Sequence, residues 1–233
     1  MARFDEIEVN GSAMRMCVAS PDGAGPDAAV IVMCHIGGLD KFTEDRVDRL
    51  AAAGYVAAAP DVFHYHDWIE EKEARRATLR DNFIIDDIKA CIAHIEKIEK
   101  VDSKRLAILG HCMGGRTAML GAGNISRIGP LVIYYGGRSM ISWGGDGPTP
   151  FERIPNIKGP VMGFFGLDDT EPSPEDVDKI EAEFKRHGTA CEFHRYEGAG
   201  HAFQNFMSSE RYREEAAKDS WEKTLQFLSK AFR

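Results

Sequence analysis

The apolar run Arg105–Leu109 passes without a linker into Gly110-His111-Cys112-Met113-Gly114-Gly115, and from there into a helical stretch. A strand, a very tight turn and a helix in immediate succession constrain this chain more than any other segment. Glycines at 110 and 114 leave room for strand and helix to approach closely, and the residue between them sits on a sharp, strained bend. The pattern is G-x-S-x-G with sulfur in place of the hydroxyl. Such a turn projects the sulfur above the end of a sheet. There the N–H groups and positive dipole end of the following helix favour a thiolate and, later, an oxyanion. Taken alone, the segment reads equally well as a glycine-rich turn around a buried, inert cysteine, because free cysteine is among the most buried residue types.

The remaining elements predict the sheet into which this turn is set. Ala28–Cys34 is a short apolar run of the kind buried on both faces of a parallel sheet. Glu6–Val9 and Met14–Val18 flank Asn10-Gly11, which predicts an N-terminal hairpin. Further strands are expected over Tyr55–Ala59, Leu131–Tyr135, Pro160–Phe165 and Cys191–Tyr196. Helices are expected over Thr43–Ala53 (with Thr43 as N-cap), Ile84–Lys100, Met113–Ala122, Ser173–His187 and Ser208–Ala231. Strands alternating with helices imply an α/β fold, a mainly parallel central sheet with helices on both faces. Residues 1–233 are expected to form one domain.

Composition narrows the function. Hydrophobic residues make up 43% of the chain, enough for a substantial core, and this excludes a disordered segment. The net charge of −8 argues against a protein that coats nucleic acid. No apolar run approaches the length of a membrane span. The five cysteines are scattered, with no C-x-x-C pair, and the N-terminus lacks a signal-peptide stretch, so a cytoplasmic protein with free thiols is expected.

A nucleophile on such a turn needs an acid and then a histidine later in the chain. The run Val161–Phe165 ends in Gly166-Leu167-Asp168-Asp169, and Glu197-Gly198-Ala199-Gly200-His201 follows Cys191–Tyr196. Both candidates fall just beyond the C-terminal ends of strands, where open α/β sheets bind ligands. His201 is expected to exchange protons with Cys112, and Asp168 to hold its tautomer, with Asp169 as the obvious rival.

Together these motifs, with Tyr134-Tyr135-Gly136 and Gly200-His201-Ala202-Phe203, resemble the dienelactone hydrolase family, the cysteine branch of the α/β-hydrolase fold. The resemblance runs from Val30 through the last helix. It implies hydrolysis of small carboxylic esters or lactones, above all the dienelactone-type enol-lactones of aromatic degradation, through a thioester and without a metal or other cofactor. It places the triad on Cys112, Asp168 and His201, the backbone oxyanion donors on Met113 and Ile36, and a substrate contact on Tyr134.

Two positions depart from the family pattern. The glutamate that usually lies near the thiol is His35 here, which is expected to tune Cys112. The arginine expected four residues after the histidine is Asn205, and Arg75, Arg76 and Arg80 lie in the region of a second one. His64-Tyr65-His66 offers two metal ligands but no third at supporting spacing, so no metal site is expected. Trp68 and Trp143 are candidates for lining an apolar pocket. A thiol redox or sensing protein acting through Cys112, and a non-catalytic ligand-binding member of the fold, stand as the alternatives.

Overall fold

The computed structural model describes residues 1–23, 25 and 27–233. Strands β1 (Arg3–Val9) and β2 (Ser12–Ala19) form the N-terminal hairpin. Asn10 and Gly11 both take positive φ at its tip, the backbone that an Asn-Gly hairpin turn requires. The chain then runs β3 (Asp27–Met33), α1 (Lys41–Ala52), β4 (Val56–Pro60), α2 (Lys72–Ala77), α3 (Asp81–Ile98), β5 (Val101–His111) and α4 (Met113–Asn124). It finishes with β6 (Leu131–Tyr134), β7 (Val161–Gly166), α5 (Pro174–Arg186), β8 (Cys191–Tyr196) and α6 (Glu214–Ala231). The eight strands make one sheet in the order β1-β2-β4-β3-β5-β6-β7-β8, and from β4 to β8 every neighbouring pair is parallel.

Strict alternation along the central strands builds two cores, one on each face. Ile31 and Met33 of β3, Ile108 of β5 and Ile133 of β6 join the face covered by α3, α4 and α5. Val30 and Val32, Leu109, and Val132 with Tyr134 point to the opposite face, under α1 and α6. Both cores are continuous apolar clusters, as expected for parallel strands buried on both sides. Among the described residues, no helix is long and apolar enough to cross a membrane.

Two local expectations are corrected, at the starts of α1 and α6. Helix α1 is capped by Asp40, whose Oδ1 accepts the N–H groups of Phe42 and Thr43. Thr43 lies inside the helix and turns its hydroxyl back to the Gly38 carbonyl, which leaves it unable to cap. The short helix α2 ahead of α3 adds an element not expected from the sequence, and its N-cap is Glu71. Helix α6 begins at Glu214 and not at Ser208, because Arg213 is tied backwards: its N–H donates to Phe203 O and its Nε to Gly198 O.

Candidate active site

Cys112 lies between β5 and α4 with φ 57° and ψ −123°, a backbone that a side-chain-bearing residue adopts only under strong constraint. Its N–H donates to Tyr134 O and its carbonyl accepts from Gly115 N. The two glycines are explained by contact with backbone. A Cβ at Gly110 would collide with the Gly114 carbonyl, and one at Gly114 with the carbonyls of Met33 and Cys34. The first turn of α4 therefore rests directly on the chain leaving β3, which brings Met113 and Ile36 to the same cavity wall as Cys112. Gly114→Ala should destabilise the protein by about 1–3 kcal/mol, since the obstacle is rigid backbone. An unchanged calorimetric midpoint in that variant would contradict this close approach.

The Cys112 sulfur is 2.9 Å from His201 Nε2, and His201 Nδ1 is 2.9 Å from Asp169 Oδ2. The partner of His201 is thus Asp169 and not Asp168, which corrects the expected assignment. Past β7 the chain turns, with Asp169 N–H donating to Gly166 O, and this turn directs the side chain of Asp169 inward while Asp168 stays exposed. The Asp169 side chain is only 2% exposed, and its other oxygen accepts the Glu171 N–H at 2.9 Å. Burial by itself lowers the pKa of His201. The hydrogen bonds to Asp169 and Cys112, and attraction to the sulfur, outweigh it and raise the imidazole to about 10. Of the other cysteines, Cys17, Cys34 and Cys91 are buried, and burial pushes the Cys17 thiol up to about 12.

Behind this line, the buried His111 meets Gln204 Oε1 at 3.0 Å, and Gln204 also accepts from Arg46 and donates to Ser220 Oγ and Ala217 O. Burial and the Arg46 charge hold His111 well below the ordinary imidazole range, so it is neutral and donates to Gln204. The residue beside Cys112 is in this way bonded to the residue three beyond His201. Tyr134 belongs to the same interior and is corrected from substrate contact to core. Strand parity points it to the α6 face, where it stacks on His111 and Phe164 and its hydroxyl meets Thr224 Oγ1 and Ser220 O. Its neighbour Tyr135, at φ 39°, stays in the same core and sets its ring edge-on to His201, with the ring centroids 5.3 Å apart.

The sulfur opens into a cavity of about 220 Å³ lined by Ile36, Met113, Trp143 and His201, with Arg76, Arg138 and Arg211 at its sides. Two of these guanidiniums are neutralised from within the wall, Arg76 by Glu73 and Arg138 by Glu171 at 2.9 Å. Arg211 has no side-chain hydrogen bond or ion pair among the described residues. The sequence carries no signal for Arg138 or Arg211, because only the loops after β6 and β8 bring them here. Trp143 lines the cavity as anticipated, whereas Trp68 stands 70% exposed. His64 is spent on Asp87 in the interior, and among the described residues no group of three or more His, Cys, Asp or Glu is placed to hold a metal.

The family model for the dienelactone hydrolase family matches residues 14–232. This chain belongs to the dienelactone hydrolase family. A Bradyrhizobium protein named "Probable 2-oxo-3-(5-oxofuran-2-ylidene)propanoate lactonase" is 31% identical, over 96% of this chain and 92% of its own length. The carboxymethylenebutenolidase of Rhodococcus opacus is 29% identical, over 91% and 84%. The crystal structure of a "Putative Dienelactone Hydrolase" from Klebsiella pneumoniae superposes with a TM-score of 0.90 at 25% identity, covering 98% of both chains. The protein is accordingly a hydrolase with the α/β-hydrolase fold.

In this member of the family, both departures are held by local contacts. His35 does not reach toward Cys112: its Nε2 is 2.8 Å from Asp40 Oδ2 and its Nδ1 faces the Gly37 N–H. It fastens its own loop to the cap of α1, five residues on, which corrects the expectation that it tunes the thiol. Asn205 is likewise occupied locally, accepting the Met207 N–H at 3.0 Å. Of the three arginines in the other region, Arg76 reaches the cavity, while Arg75 lies over the Phe63 ring and Arg80 packs along Gly144.

Proposed function

We propose that this dienelactone hydrolase opens small, carboxylate-bearing enol-lactones by nucleophilic catalysis from Cys112. The observation that carries the reading is the unbroken line from Cys112 Sγ through His201 to the buried Asp169, ending on a small cavity. The thiolate attacks the lactone carbonyl, and the N–H groups of Met113 and Ile36 receive the oxyanion. Met113 is the first residue of α4, so its N–H has no partner within the helix. Collapse of the intermediate breaks the ring C–O bond, the leaving oxygen takes the proton held by His201, and a thioester remains. His201, oriented by Asp169, then takes a proton from water, which releases the acid and the sulfur.

The anionic substrate is supported by the charges at the cavity. Three guanidiniums face two carboxylates, so the wall carries an excess positive charge centred on Arg211. The names of the Bradyrhizobium and Rhodococcus relatives both describe butenolide-type lactones with a carboxylate arm. The direct test follows loss of dienelactone ultraviolet absorbance with purified protein. Turnover supports the reading, and its absence with active, alkylatable Cys112 removes this substrate class. Arg211→Gln should raise KM for dienelactone by about tenfold to a hundredfold, the worth of a charged hydrogen bond. Hydrolysis of a neutral aryl ester should change by no more than about threefold. Equal effects on both substrates would take Arg211 out of carboxylate recognition.

A further inference from the structure

Arg116 sits on α4 one turn beyond Cys112 and is the largest fully buried side chain among the described residues. A buried guanidinium is tolerated only where its donors are met. Its Nη1 and Nη2 form a fork on the two oxygens of Asp81, at 2.6 and 3.0 Å. Nη2 also donates to Ile141 O at 2.5 Å, and Nε to Arg138 O at 3.2 Å. The Trp143 ring lies over the guanidinium, 3.7 Å from its carbon. Asp81 completes the arrangement by accepting the Trp143 N–H at 3.0 Å and donating its own N–H to Trp143 O at 2.9 Å.

None of these bonds goes to Cys112 or His201. They converge on residues 138–143, which leave β6 without helix or strand of their own. Backbone in that state needs partners elsewhere, and here Arg116 and Asp81 supply them. Arg138 and Trp143 at the two ends of the segment line the cavity. A lysine could not replace the arginine, since one ammonium cannot make a planar fork, stack on an indole and reach two carbonyls at once.

We propose that Arg116 and Asp81 are positioning residues that set the cavity wall at 138–143, and so decide which acyl groups fit beside Cys112. This rests on Cys112 being the nucleophile. The wall is held independently of the sulfur–imidazole pair, so loosening it changes fit and leaves the reactivity of the thiol alone.

The test uses Arg116→Lys and, as the milder change of nearly equal volume, Asp81→Asn. Amide hydrogen exchange across 138–143 should accelerate by about tenfold or more in both. At the Cys112 peptide, the ratio of labelling by N-phenylmaleimide to labelling by iodoacetamide should rise by about threefold or more, while the iodoacetamide rate itself stays within about twofold. KM for the lactone should rise by about tenfold with kcat within about threefold. Unchanged exchange in the folded Asp81→Asn protein overturns the proposal. So does a parallel fall of kcat and iodoacetamide rate, which would make the pair a support of the nucleophile turn. Exchange and labelling need no turnover. A wild-type protein that fails to open lactones would therefore sink the proposed function while these two readouts still judge the wall.

Discussion

Asp169→Asn should lower kcat/KM by roughly 10²–10⁴-fold, while Asp168→Asn leaves it within about twofold. The larger figure corresponds to about 5 kcal/mol of transition-state stabilisation. The expectation follows from orientation. Asp169 Oδ2 accepts from His201 Nδ1 and thereby leaves Nε2 facing the sulfur. An amide at position 169 can offer its NH₂ to Nδ1 and stabilise the tautomer that points the wrong way. Asp168 is solvent-exposed, and among the described residues the His201 Nδ1 hydrogen bond goes to Asp169, so the same change at 168 costs the line nothing. Steady-state kinetics on the two single variants decide between the adjacent acids. Equal activity of both variants would remove the carboxylate from the mechanism.

Cys112→Ala should abolish lactone turnover, by about 10⁴-fold or more, and should also lower the pKa of His201. Both effects have one origin. The imidazole is raised to about 10 partly by its hydrogen bond and attraction to the sulfur, which favour the protonated ring. Removing the sulfur leaves burial, which lowers the value, opposed by Asp169 alone. The titration of His201 followed by NMR should therefore move down from about 10 in the variant. A titration that stays in place would mean that the sulfur carries no charge facing the ring.

In the proposed mechanism the same sign gives His201 two roles. In the free enzyme it holds a proton to donate to the leaving oxygen. In the thioester the sulfur is neutral, the ring loses that stabilisation, and it becomes a base for water. Under this scheme, a kcat limited by thioester hydrolysis should rise with pH through a value lower than the one His201 shows in the free enzyme.

Much of this site is local in origin. The strand–turn–helix at 105–122 is readable because the collision that forbids a Cβ at 110 involves residue 114, a few positions away. His201 is readable because Gly200 and the strand before it mark a β-strand end. Asp169 could not be distinguished from Asp168 on the same grounds, since adjacent residues share a motif and only the turn after Gly166 separates their directions. Tyr134 misleads for a related reason. It ends a strand near the site, but strand parity puts its side chain under α6. His35 lies at the position of a family glutamate, yet Asp40 stands five residues away and takes its ring.

What the sequence by itself determined is whatever short-range sterics and periodicity dictate: alternating strands and helices, a strained cysteine turn, and the order cysteine, acid, histidine. What only the tertiary structure decided is which groups meet across long chain separations. Arg76 of α2 and Trp143 and Arg211 from two distant loops come to one cavity, and Arg116 reaches Asp81 across 35 positions. Those encounters depend on strand order and on the paths of loops that carry no periodic signal. The candidate catalytic residues are thus written locally, and the shape and charge of the cavity beside them arise only when the sheet is assembled.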